Sequence, residues 1–215
     1  MSIDFARIRA FLNRPGVEGP QQVRGYIPCH RVQGGSANYL GPESGRPEDF
    51  AAMGVSGVTI ATGVDLGQTD ADVLGRGGLD GGIVCMLRPY LGLRRDGAIR
   101  KLYALPLTVS PDTARELDRV TLDIHGRRIA AHYDSAGPAA PFADLPWQAQ
   151  AAVFSLLYQR GTGVSGKAPG TWAALVRGDW KDAARRLCDA SLWEGYQARR
   201  KLEGELVKEI TKESV

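Results

Sequence analysis

The stretch SGVTIATGVDLGQ, Ser56 to Gln68, sets Thr59 and Asp65 in a short apolar run punctuated by Gly57, Gly63 and Gly67. The two lie six residues apart, an even number, so an unbroken strand presents a hydroxyl and a carboxylate on one face. Taken alone, Thr59 is an ordinary strand residue and Asp65 a turn former ahead of Leu66-Gly67. The alternative is that both are kept for chemistry. Further carboxylates stand at Glu18, directly after a helical run, and at Glu43, Glu48 and Asp49 in a segment rich in Gly and Pro. Cys29-His30 suggests a thiol nucleophile or a metal pair, but neighbours on a strand point to opposite faces. The cysteines Cys29, Cys85 and Cys188 are odd in number and show neither CxxC nor metal-ligand spacing. No metal site, organic cofactor or disulfide framework is expected, although one bridge is open.

The chain has 215 residues, 43% hydrophobic and 24% charged, which suits one globular domain or two closely joined lobes and argues against disorder. A net charge of +3 is compatible with a polyanionic partner, cell wall or nucleic acid, but too small to select one. Most of the basic pairs Arg94-Arg95, Arg127-Arg128, Arg185-Arg186 and the run Arg199-Arg200-Lys201 read as solvated helix faces rather than a nucleic-acid patch. The first residues, MSIDFARIRAFLNRPG, lack a long apolar core and a small-residue cleavage site. No stretch reaches the roughly 18 apolar residues of a membrane span. A product made in the cytoplasm without a signal peptide is expected.

The elements that must position these groups follow from periodicity. Ile3, Phe5, Ile8, Phe11 and Leu12 predict one amphipathic helix, with Ser2 as N-cap and Pro15-Gly16 as the stop. From Val17 to Gly67 helical spacing is lost; Val58 to Ile60 reads as a strand and residues 29–56 as a long loop. After Thr69 the pattern is helical. Ser110-Pro111 opens one helix. PWQAQAAVFSLLYQRG is apolar nearly all round and predicts a central helix ended by Gly161. Helices around Thr171 to Arg177, after Asp179, and from Trp193 to Ile210 complete the chain. The expected fold class is α+β, predominantly α, with a small β-containing lobe in residues 1–80, a larger helical lobe in residues 81–215, and a cleft between them.

Glu18-Gly19, Tyr26 and Pro28, followed by SGVTI, Gly63 and DLGQ, resemble the pesticin branch of the phage-type lysozymes of glycoside hydrolase family 24. VFSLLYQRG, TWAALVRGDW and YQARRKLEGEL extend the resemblance over most of the chain. It implies a lysozyme-like fold and a peptidoglycan muramidase in which Glu18 is the general acid, Asp65 the second carboxylate acting on water or the developing charge, and Thr59 the hydroxyl that positions water. It also implies Tyr26, Gln68, Tyr158 and Gln159 as substrate contacts. Such chemistry needs a protonated carboxyl for the leaving oxygen and an ionised one for the attack. Glu18 is therefore expected to be raised by desolvation and Asp65 to stay ionised among hydrogen bonds. By the same resemblance the reaction inverts the anomeric centre.

The better-known phage enzymes carry the second carboxylate before the TI strand, so Asp65 rests on the pesticin branch alone, and Glu43, Glu48 and Asp49 remain rivals. The biological expectation is an antibacterial effector of a contractile secretion system or a phage endolysin. Its partners would be peptidoglycan strands in the periplasm or wall of a target cell, with a periplasmic immunity protein in the producer. Nucleic acid is not expected as a partner, and the protein is expected to be a monomer. A lytic transglycosylase and a non-catalytic wall-binding module are the alternatives.

Overall fold

The computed structural model describes residues 2–212. Helix α1 (Phe5–Leu12) is followed by strands β1 (Gln22–Arg31), β2 (Ser36–Tyr39), β3 (Phe50–Ala52), β4 (Thr59–Ala61) and β5 (Val64–Asp65). Helices α2 (Ala71–Arg76), α3 (Gly81–Leu87), α4 (Arg95–Ala104), α5 (Pro111–Ser135), α6 (Trp147–Arg160), α7 (Val164–Lys167), α8 (Pro169–Val176), α9 (Trp180–Cys188) and α10 (Gln197–Lys212) follow. The fold class is the expected one, predominantly helical with one small antiparallel sheet. Among the described residues no helix is long and apolar enough to cross a membrane.

Contacts divide the chain into two compact units, Pro20–Thr121 and Met1–Gly19 with Leu122–Val215. This differs from a division at residue 80. Helix α1 joins the C-terminal helices because Ile8, Phe11 and Leu12 are buried in one core with α6. Helices α2 to α4 stay with the sheet.

In the sheet-containing unit, β1 is the common neighbour. It pairs with β2 (Cys29 opposite Ala37), with β3 (Cys29 opposite Ala52) and with β4 (Tyr26 opposite Thr59). Residues 29–56 are therefore not one long loop: the end of β1, then β2 and β3, form most of a small sheet. The alternation is real, since Gly25, Ile27 and Cys29 are buried and His30 is exposed, but Pro28 and the Gly34-Gly35 turn hide it in the sequence. Cys29 and His30 do face opposite ways. The cysteines are free, Cys29 buried and Cys85 exposed.

Asp118, in the first half of α5 and 1% exposed, is the main tether of this unit. Its carboxylate accepts from Thr62 N and Oγ1, both at 2.8 Å, and from Gln21 Nε2 at 2.5 Å. Charge-assisted bonds in a buried site are the stronger kind. Asp118→Ala is expected to lower the stability of the folded chain by about 3 kcal/mol, read as a lower midpoint in urea; a midpoint within error of wild type would refute the tether.

The helical unit is built round α6, whose residues Gln148 to Leu157 are all buried, as its apolar circumference predicts. Gln150 Oε1 accepts from Asp4 N at 2.9 Å and its Nε2 donates to Leu145 O at 3.1 Å, joining α6 to the start of α1. The N-cap of α1 is Asp4, whose carboxylate accepts from Arg7 N at 3.0 Å, not Ser2. A carboxylate at that position satisfies an orphan N–H and suits the helix dipole. Helix α10 begins at Gln197 rather than Trp193; Trp193 is buried ahead of it with Nε1 donating to Arg186 O at 2.9 Å.

Candidate active site

The stretch holding Thr59 and Asp65 is a hairpin, not an unbroken strand. Thr59 stands directly opposite Asp65, and Ile60 opposite Val64, across a three-residue connection. Gly63 takes φ +74°, the left-handed conformation that such a connection asks of its last residue. Ala61 also has positive φ, +52°, a strained setting for an L side chain that the Asp118 grip on Thr62 helps to hold. The expectation that Thr59 and Asp65 share a face is met by a different geometry, because residues directly opposed across a ladder lie on the same face. Tyr26 is opposite Thr59 on β1, so Tyr26, Thr59 and Asp65 form one row across three strands.

The glycines explain how Asp65 is held. Gly57 and Gly67 cross so closely that a Cβ on Gly57 would lie 2.6 Å from the Gly67 Cα and 2.5 Å from Leu93 O. Without side chains their N–H groups converge on the carboxylate: Gly67 N donates to Oδ1 at 2.8 Å and Gly57 N to Oδ1 at 3.1 Å. Gln68 adds a side-chain hydrogen bond and Arg94 a positive charge. Burial nevertheless outweighs these, and the Asp65 carboxyl is pushed above its ordinary value of 3.8. The hydrogen bonds expected to keep Asp65 ionised are present, with burial acting against them. Thr59 is 6% exposed, its hydroxyl 3.5 Å from Gly57 O.

Glu18 belongs to the helical unit. Past α1 the chain wraps back so that Glu18 N donates to Leu12 O at 3.0 Å, and the side chain, 19% exposed, reaches Arg199. Arg199 Nη1 donates to Glu18 Oε1 at 2.6 Å. Arg199 Nε and Nη2 donate to Ser155 Oγ at 3.1 and 3.0 Å, and Nη2 also to Ser155 O at 3.0 Å. Ser155 Oγ donates in turn to Glu203 Oε1 at 2.6 Å, and Arg200 Nη1 lies 2.7 Å from Glu203 Oε2. Glu203 and Arg200 have no exposed side-chain surface. Burial pushes the Glu203 carboxyl up against the downward pull of Arg200, the Ser155 hydroxyl and Arg199; it pushes Arg200 down to about 10.

The other expected contacts divide between the units. Gln159 accepts a hydrogen bond from Arg200 and so joins the Glu18 network. Tyr158 is half-buried, its ring edge-on to His125 at 4.9 Å. Gln68 Nε2 donates to Val55 O at 3.3 Å beside Asp65. Of the rival carboxylates, Glu43 pairs with Arg24 and Glu48 with Arg46, and these two and Asp49 are exposed. None has the enclosed setting of Asp65.

Arg199 and Arg200 are buried, 6% and 0% exposed, and are not a solvated helix face. The signal available was Glu203, four residues after one arginine and three after the other on the same helix.

The profile of the family described as Pesticin, "Bacterial toxin homologue of phage lysozyme, C-term", matches residues 10–181. The chain belongs to the pesticin family. Comparison with curated proteins returns no match. The pesticin match takes in Glu18, Tyr26, Thr59, Asp65, Gln68, Tyr158 and Gln159, while Arg199, Arg200 and Glu203 lie beyond its end. Pesticin-family membership makes the fold lysozyme-like and supports a muramidase-type toxin or lysozyme in general terms, with peptidoglycan as the substrate it implies.

Proposed function

We propose that the protein is a muramidase that hydrolyses the β-1,4 bond between N-acetylmuramic acid and N-acetylglucosamine and serves as an antibacterial toxin. The observation that carries the reading is the row of Tyr26, Thr59 and Asp65, with the carboxylate cradled by two glycine N–H groups, in a chain of the pesticin family. In this reading Glu18 protonates the glycosidic oxygen, Asp65 supports attack by water, and Thr59 orients that water. The outcome is inversion. Tyr26, Gln68, Tyr158 and Gln159 contact the glycan. The toxin acts as a monomer, and its producer carries a periplasmic immunity protein.

Purified protein on isolated sacculi tests this. Soluble fragments ending in hydrated, reducing N-acetylmuramic acid support hydrolysis; anhydro-muramyl ends would replace it with transglycosylation, and binding without release with a wall-binding module.

Where the protein acts follows from its substrate. Expressed in the cytoplasm of a Gram-negative host it is expected to be nearly harmless, and fused to a secretory signal it is expected to round and lyse the cells. Because the cysteines are free, the fold needs no disulfide in either compartment. Equal killing from the cytoplasm would overturn the wall as target.

A further inference from the structure

A guanidinium beside a carboxylate usually grips both oxygens through two nitrogens. Here it does not. Arg199 spends Nε and both hydrogens of Nη2 on Ser155, so that Nη1 alone is turned to Glu18, and to Oε1 only. Ser155 can accept these bonds because its own hydrogen goes to Glu203 Oε1, which also lies 3.5 Å from Arg199 Nε. We propose that Ser155 and Glu203 are positioning residues for the reaction, restricting Arg199 to a one-oxygen grip on Glu18 and leaving Oε2 as the atom that carries and delivers the acid proton.

The inference rests on Glu18 being the general acid, but it adds what a bare Glu–Arg pair would lack. A two-oxygen grip stabilises the carboxylate and leaves no oxygen for the proton. The Ser155–Glu203 brace prevents that grip and shares the positive charge of Arg199 with a second carboxylate. The charged groups that act on Arg200 here are Glu203 and Arg199 from α10, Arg160 from α6, and Glu18. From α5, His125 faces Tyr158 with its pKa drawn down to about 4 by burial.

Ser155→Ala takes away the Oγ that Nε and Nη2 of Arg199 share, without removing a charge and with the backbone carbonyl of residue 155 still holding one Nη2 hydrogen, and Glu203→Gln removes the counter-charge while keeping shape. Both are measured for kcat and KM on soluble glycan strands across pH, with thermal unfolding alongside. The expected result is a loss in kcat on the order of tenfold to a hundredfold with KM little changed. A purely structural role would lower the folded fraction and leave kcat per folded molecule in place, and an unchanged kcat in folded Ser155→Ala overturns the proposal. Full activity in Glu18→Gln would instead overturn the muramidase reading, and this proposal with it, so the two failures are told apart.

Discussion

Glu18→Gln is expected to abolish wall lysis, a fall of at least the order of a hundredfold, while the protein still folds. Glutamine is nearly isosteric and its Oε1 can still accept from Arg199 Nη1, so the local geometry at 2.6 Å survives the change. Arg199 also keeps Ser155 and Glu203, and no unpaired buried cation is created. What is lost is the acid proton. Glycosidic oxygen is a poor leaving group, and an amide cannot supply that proton in the transition state. Lysis at the wild-type rate from a folded Glu18→Gln protein would end the assignment of Glu18 as the acid.

Asp65→Asn is expected to reduce turnover more than Thr59→Ala does, and at the same time to raise the melting temperature at neutral pH. Asn keeps an oxygen for the Gly57 and Gly67 N–H groups but cannot act as a base. The stability effect follows from linkage. Burial, the largest influence, raises the folded-state value of Asp65 above 3.8, so the folded protein still holds this proton at pH values where the unfolded chain has released it. Its contribution is most favourable below the unfolded value and is lost as pH rises through the folded one. At pH 7 the ionised carboxylate therefore weighs against folding. The advantage of Asp65→Asn should narrow as pH is lowered through the titration of Asp65. A variant that melts lower than wild type at pH 7, with a gap independent of pH, would refute this account of how Asp65 is held.

Much of the helical structure was legible because its signals are local. The Ser110 cap, the all-round apolar face of α6 and its end at Gly161 are each written within one or two turns of chain. The sheet was less so. Residues 36–39, SANY, carry little strand propensity, and they become β2 because Ala37 and Tyr39 find Cys29 and Ile27 opposite. Strand identity there is a property of the pair. At the site, the even spacing put Thr59 and Asp65 on one face through a straight strand, whereas Gly63 turns the chain and makes them cross-strand partners. The brace behind Glu18 was hidden for another reason. Charges at Arg199, Arg200 and Glu203 look solvated on a helix viewed alone, and only Ser155, far off in sequence, shows that this face is closed.

The unit that carries Glu18 is assembled from the two ends of the described chain, with Pro20–Thr121 inserted between them. During synthesis the sheet-containing segment can therefore collapse on itself as a contiguous piece. Helix α1 has to wait: Ile8, Phe11 and Leu12 share their core with residues that begin at Leu122, which leave the ribosome more than a hundred residues later. At ordinary translation rates that delay is on the order of ten seconds. The acid of the proposed active site is thus among the last groups to be set in place, so a nascent or half-made chain holds Asp65 and Thr59 without the means to cut.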